Sequence, residues 1–321
     1  MTAPRPCSDA ARERCDPLEG TAAPSRGWLL IEHPGPWAPN ALAGSRLDPT
    51  VVSRLSAASV TAGVRILLVR RPGRQQLGAA QRWWLLHGPA ASRPDGSVGA
   101  SGTWADAHDL LAAAAALDHV PGPDVSTGTA AGPDLPPDWP RFLICTHGRH
   151  DTCCAVRGRP VAAALARRWP QSTWECSHLG GDRFAPNLLV VPDGTCYGAV
   201  DDTDVVALVS DHLAGRVDVQ HLRGPSSDHP WEQSAVVQAH RTFGPLPASA
   251  VVVEAASTVP GEEPRSWAVE LTVSGVGTVR ALVRGQARPR ALLTCRATHP
   301  AAAGQYSVTL SAPSGGGPAE G

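Results

Sequence analysis

"RFLICTHGRHDTCCAVRGRPVAAALARRWPQSTWECSHLG", residues 141–180, is the stretch from which the fold of this chain is read. "RFLICTHG" is a short apolar run closed by Gly, the signature of a buried strand. "RPVAAALARRWP" is a run of helix formers, and Pro160 suits the first helical turn, where no N–H is needed. "STWECSHLG" reads as strand again and stops at Gly180-Gly181. Strand, helix, strand predicts an α/β unit. Within it, "CTHGRHDTCC" (145–154) packs three of the chain's eight cysteines and two of its twelve histidines into ten positions. Few structural needs explain that density.

Outward from this unit, "NLLVVPDGTCYGAV" predicts a hairpin turning on Asp193-Gly194. "DDTDVVALVSDHLAG" predicts a helix stopped by Gly215. Upstream, the same order recurs. "GWLLIEHPGPW" (27–37) is a strand ending in a Pro/Gly loop, and "LDPTVVSRLSAASVTAG" (47–63) a helix with an Asp cap, an early Pro and a terminal Gly. "VRILLVRRPG" and "RWWLLHG" are strands, and "TWADAHDLLAAAAALDHV" (103–120) is a helix. The order β-α-β-β-α is the thioredoxin-type arrangement. The two halves share element order but little sequence. Between them, "PGPDVSTGTAAGPDLPPDWP" (121–140) holds six prolines and three glycines and reads as a linker. Beyond 225, "HPWEQSAVVQAHRTFG" predicts a helix. "VVVEAAS", "SWAVELTVSG", "TVRALVRG", "RALLTCRA" and "QYSVTLSA" predict alternating strands, with Trp267, Val269, Leu271 and Val273 on one face.

Composition excludes several classes. The 321 residues suggest more than one domain. A formal net charge of −1 offers no field for nucleic acid or an anionic membrane. Every basic side chain is Arg or His, so single arginines are weak signs of anion binding. The N-terminal residues lack the apolar core of a signal peptide, and the longest apolar run, Leu110–Leu117, is far short of a bilayer span. A soluble, cytoplasmic protein is expected, with cysteines reduced or metal-bound. Residues 1–26 read as a disordered tail in which Cys7 and Cys15 are incidental.

Cys145 ends a predicted strand, and Cys154 follows across a loop whose backbone can bend around a centre. The helix beyond it favours negative charge at its N-terminus. Gly158 permits close backbone approach. In "CSHLGGD" (176–182), Cys176 and His178 share a strand face. Gly180-Gly181 lets Asp182 fold back toward His178. Thiolate and imidazole together suit zinc, copper or iron–sulfur centres, whereas a carboxylate is a harder donor. His147 and His150 read as solvated loop histidines, and Cys196 and Cys295 as core packing. Asp201, Asp202 and Asp204 read as helix-capping residues. His33 and Trp37 carry no assignment. No C-x-x-C stands at a thioredoxin position, adjacent cysteines pair only with strain, and no G-x-S-x-G elbow is present.

"CTHGRHDTCCAVRGRPVAAAL", "WECSHLGGDRFAPNLLVVPDGTCYG" and, more weakly, "WLLIEHPGPW" resemble the sucrase/ferredoxin-like family over about residues 27 to 225. The resemblance implies a thioredoxin-like ferredoxin (141–224) within an α/β chain; the upstream element order predicts a second thioredoxin-like domain (27–120), and the alternation and loose end beyond predict a β-rich C-terminal region (225–312) and a tail (313–321). The resemblance also implies a [2Fe–2S] cluster held by cysteines in C-x8-C spacing and histidines in H-x3-H spacing. Cys145 and Cys154 match the cysteines, and His178 the first histidine. Asp182 stands where the family has its second histidine. The fourth ligand is therefore open among Asp182, Cys176, Cys153 and an outside group. An electron-transfer or redox-sensing role follows, with a redox protein as partner. Mixed Cys/His ligation raises the potential relative to all-cysteine clusters. Structural zinc on Cys145, Cys154, Cys176 and His178 is the alternative, beside a metal-free scaffold that binds a partner. No carboxylate pair asks to be read as a glycosidase.

Overall fold

A computed structural model describes residues 5–73, 80–87, 98–120, 141–261 and 265–312. The expected linker at 121–140 and tail at 313–321 lie outside the described residues. In chain order, α1 is Cys7–Glu13, β1 Gly27–Glu32, α2 Pro49–Ala62, β2 Arg65–Arg70, β3 Gln81–His87, β4 Val98–Trp104 and α3 Leu111–Asp118. Then come β5 Arg141–Cys145, α4 Thr152–Arg168, β6 Thr173–Cys176, β7 Asn187–Val191, β8 Thr195–Gly198, α5 Val205–Leu213, β9 Leu222–Pro225 and α6 Pro230–Phe243. Strands β10 Val251–Val259, β11 Ser266–Val273, β12 Gly277–Ala287 and β13 Gly304–Leu310 complete the chain.

The architecture is mixed α/β. Among the described residues, β1 to β9 form one sheet in the order β4-β3-β1-β2-β6-β5-β7-β8-β9. Each half repeats one connection. In the first, β1 and β2 run parallel through α2, and β3 lies antiparallel on the far side of β1. In the second, β5 and β6 run parallel through α4, and β7 lies antiparallel beside β5. The halves join through β2 and β6, paired antiparallel at Val69–Cys176 and Arg70–Glu175.

Alternation along the strands sorts the core. Leu29 and Ile31 pack with α2 and α3, while Phe142 and Ile144 pack with α4 and α5. The opposite parity, including Trp28, Leu30, Leu143, Cys145, Trp174 and Cys176, forms one cluster spanning both halves. The sheet curls around that cluster, so a Cβ on Gly194 in the β7–β8 turn would stand 3.0 Å from Trp28. The remaining sheet is a separate antiparallel meander, β10-β11-β12-β13. Its apolar face, with Trp267, Val269, Leu271 and Val273, packs against α6.

Local signals read correctly in many places. Asp48 caps α2 by accepting from the amides of Thr50 and Val51, and Gly63 ends it in the left-handed region at φ 65°. The hairpin at Asp193-Gly194 is present. Four expectations are corrected. The segment expected as a disordered tail carries α1, with Cys7 and Ala11 buried, because the curled sheet and the C-terminal loop supply partners for it. Helix α4 begins at Thr152 rather than at Pro160. Asp151 caps it, and Pro160 sits inside with its ring on the exposed side. "RALLTCRA" forms no strand, only an isolated bridge between Ala291 and Ala301. Finally, the segment expected as one helix over 103–120 begins with the end of an additional strand, β4, and then forms a 3-10 turn at Ala107–Leu110 before α3.

Candidate metal centre

Cys145 is the last residue of β5 and has no exposed surface. The chain then turns through residues 146–151 and enters α4. The early helix start matters for chemistry, because Cys153 and Cys154 occupy the first turn of α4. Successive helical residues point about 100° apart, so the two thiols serve different neighbourhoods. Cys154 turns inward, and its Sγ groups with those of Cys145 and a ring nitrogen of His178, all within 4.8 Å of one another. Gly158 makes this approach possible: a Cβ there would stand 2.2 Å from the carbonyl oxygen of Cys145.

His178 follows β6, and Gly180 and Gly181, at φ 95° and 75°, turn the chain so that Asp182 comes back. Asp182 Oδ1 lies 3.1 Å from His178 Nδ1 and 3.4 Å from Cys154 Sγ. The His178 Nδ1 is buried and has no partner in hydrogen-bonding geometry. Two arginines, half-buried Arg65 and fully buried Arg223, hold the turn from either side. Arg65 of β2 donates to the carbonyls of His178 and Leu179 at 3.1 and 2.9 Å. Arg223 of β9 donates to Gly180 O at 3.0 Å and to Asn187 Oδ1 at 2.8 Å.

His150 joins the group. Its ring stacks on His178 with centroids 3.8 Å apart, and its Nε2 lies 3.7 Å from Asp182 Oδ2. His150, His178 and Asp182 form a second converging set that shares His178 with the first. The expectation of solvated loop histidines is therefore corrected for both residues. His147 is buried and its Nε2 bonds to Ala38 O at 2.7 Å; His150 Nδ1 bonds to Pro39 O at 3.1 Å. The loop after β1, which carried no assignment in the sequence, is thus what orients both rings. Trp37 packs edge-on against His147.

The electrostatics follow from burial and contact. Cys145 is pulled well below the ordinary thiol range, first by its hydrogen bond from Cys154 and then by His178. Cys154 is pushed up by the same contact and by burial. One proton fewer than two is the comfortable state of this pair. Burial alone would lower His178, but Asp182 and the Cys145 thiolate together raise it to about 9. Asp182 is held below the usual carboxylate range: burial opposes this, and His178 and His150 overcome it. The site is asymmetric in exposure. The thiols are sealed, whereas the side chains of His178 and His150 keep 26% and 36% of their surface.

Cys176 and Cys153 lie outside both sets. Cys176 pairs in register with Cys145 and is fully buried, and burial pushes its thiol well up. Cys153 instead joins Cys7, Asp151 and Cys295 in a separate group. That corrects the reading of Cys7 as incidental, while Cys295 packs against the core as expected and joins this group as well. The acidic run is corrected in part. Asp201 pairs with Arg12 of α1 at 2.9 Å, and Asp204 occupies the position before α5 without a side-chain cap bond. A cap at Asp151 was legible as Asp-Thr ahead of the cysteines. Nothing local in the sequence announced the role of His150, because its partners there are Pro39, His178 and Asp182.

These buried Cys/His/Asp groups are able to hold a metal ion. No helix among the described residues is long and apolar enough to cross a membrane. Residues 18–224, well over half of the chain, match the model of the family described as sucrase/ferredoxin-like. No curated protein and no solved structure matches the chain.

Proposed function

The chain belongs to the sucrase/ferredoxin-like family, and we propose from that premise that it is a cytoplasmic electron-transfer or redox-sensing protein with one [2Fe–2S] cluster. The observation that carries the proposal is the number of converging donors. Two thiols, two imidazoles and a carboxylate form two sets joined at His178, one donor more than a single tetrahedral ion takes. The Nδ1 of His178, set 3.1 Å from Asp182 Oδ1, and the easily deprotonated Cys145 are the further marks of a fit to metal.

Cys145 and Cys154 would hold the buried iron, and His178 with Asp182 the outer one. Such a cluster supplies one-electron redox chemistry at a potential raised by imidazole ligation. The protein's own residues do the rest. Curled sheet and α4 keep water from the thiols. Arg65 and Arg223 fix the 178–182 turn, so the outer donors keep their spacing through a change of charge. The half-exposed face of His178 and His150 is where an electron, and a proton on imidazole, would pass to a redox partner protein. The strand order β2-β1-β3-β4, repeated as β6-β5-β7-β8, supports a thioredoxin-like reading of both halves.

A second reading is structural zinc, favoured by the convergence of Cys145, Cys154 and His178 within 4.8 Å. One experiment separates them. Protein purified without oxygen is expected to be red-brown, to contain iron and acid-labile sulfide, and to bleach on reduction. Colourless protein whose zinc is lost in Cys154→Ala would replace the cluster with zinc.

A further inference from the structure

Cys7, Asp151, Cys153 and Cys295 come from three parts of the chain that share no sequence neighbourhood, and two of them lie outside the residues matched by the family. Their ligand atoms all lie within 4.8 Å of one another. Cys153 Sγ is 3.2 Å from Cys295 Sγ and 3.7 Å from Cys7 Sγ, and Cys295 Sγ is 3.5 Å from Cys7 Sγ. Asp151 Oδ2 lies 3.7 Å from Cys7 Sγ. Tetrahedral zinc with bonds of about 2.3 Å to sulfur and about 2.0 Å to oxygen sets its donors about 3.5–3.8 Å apart. The four residues already approach that spacing.

Three more observations point the same way. Asp151 is almost wholly buried, and among the described residues no basic side chain pairs with it. Its oxygens accept from the amides of Cys153 at 2.9 Å and Cys295 at 2.7 Å, which orients the carboxylate toward the thiols. Donors also surround the sulfurs. Ser8 Oγ lies 3.2 Å from Cys153 Sγ, and the Cys7 amide 3.4 Å from Cys295 Sγ. Such second contacts steady thiolates in metal sites. A cavity of about 480 Å³ lined by Cys153, Cys295 and Arg157 gives an entry path.

From this geometry we infer that Cys7, Cys153, Cys295 and Asp151 form a second, structural metal site for zinc, independent of the centre at Cys145. It clamps α1 and the loop bearing Cys295 to the first turn of α4. Because Cys153 adjoins Cys154, the clamp also fixes the helix start that delivers a ligand to the other centre. A disulfide between Cys153 and Cys295 is the competing use of the same atoms. It would leave Cys7 and the buried carboxylate without a role.

The test is metal analysis of the full-length protein prepared in reducing, chelator-free buffer. It is expected to return about one zinc per chain bound by three sulfurs and one oxygen in zinc X-ray absorption. Cys295→Ser and Cys7→Ser lose that zinc, and Cys145→Ser keeps it. Ser8→Ala, which leaves every ligand in place, weakens zinc binding about 10-fold in a chelator competition. That variant and the wild-type absorption spectrum keep the test decisive if a cysteine variant fails to fold. Absence of zinc, a wild-type mass two hydrogens low with Cys153 linked to Cys295, or zinc retained in the Cys7→Ser/Cys295→Ser double variant would overturn the assignment. Iron content is read separately, so loss of this site and loss of the cluster reading are distinguishable.

Discussion

Replacing Gly158 with Ala should damage the metal centre more than it damages the fold. Gly158 lies in α4 against the end of β5, and the added Cβ would stand 2.2 Å from Cys145 O and 3.5 Å from Thr146 Cγ2. Ordinary carbon–oxygen contacts begin near 3.3 Å, so helix and strand must part by about 1 Å. The near atom is backbone, and no flexible side chain can yield in its place. Overpacking of this kind costs about 1–3 kcal/mol. Ala in place of Gly in a helix returns about 1 kcal/mol. With backbone on both sides, the clash should fall in the upper half of its range, leaving a net loss of about 1–2 kcal/mol. Functional sites tolerate displacements of only about 0.5 Å. An opening twice that size separates Cys154 from Cys145. Denaturant unfolding of the metal-free protein measures the first effect, and metal content per chain measures the second. A variant that gains about 1 kcal/mol, as helix propensity alone dictates, and still holds full metal would refute the close approach as the basis of the site.

The fourth ligand can be assigned by pairs of variants. Asp182→Ala should lose or weaken the metal centre and Asp182→His should retain it, whereas Cys176→Ala should hold it fully; iron and sulfide per chain decide, and the reverse pattern would move the ligand to Cys176. The metal-free protein should show a pH dependence set by His178. Its folded value, raised to about 9, exceeds the ordinary value of about 6.5. The stabilising contribution is therefore complete below the ordinary value and lost as pH climbs through the folded one. Denaturation midpoints should fall across that window, and His178→Gln should flatten the profile. Metal affinity should rise over the same range, because the imidazole must shed its proton to bind. Arg223→Met should cost at least about 3 kcal/mol, since the fully buried guanidinium leaves carbonyl and amide acceptors unpaired. A thermal unfolding point within a degree of wild type would exclude that role.

The sequence by itself determined the elements whose signals are local. Asp48, Pro49 and Gly63 bound α2, Asp193-Gly194 turns the hairpin, and alternation from Trp267 to Val273 marks a half-buried strand, because caps, turns and strand faces depend on neighbours a few residues away. Density and spacing also marked the cysteines and histidines of 145–154 and 176–182, and the family resemblance singled out Cys145, Cys154, His178 and Asp182 among them. Where two local signals competed, the sequence chose wrongly: Pro160 fits a helix start, but Asp151 is a better one, since its carboxylate satisfies an amide that Pro160 cannot. Only the tertiary structure decided the rest. His150 reaches His178 because carbonyls at residues 38 and 39, contributed by the first half, hold the intervening loop. Cys7 and Cys295 meet Cys153 because α1 and the 288–303 loop close over the start of α4. The contacts from residues 38, 39, 7 and 295 span more than a hundred positions, and their formation depends on how the sheet curls and which faces it buries. No periodicity within a segment records that.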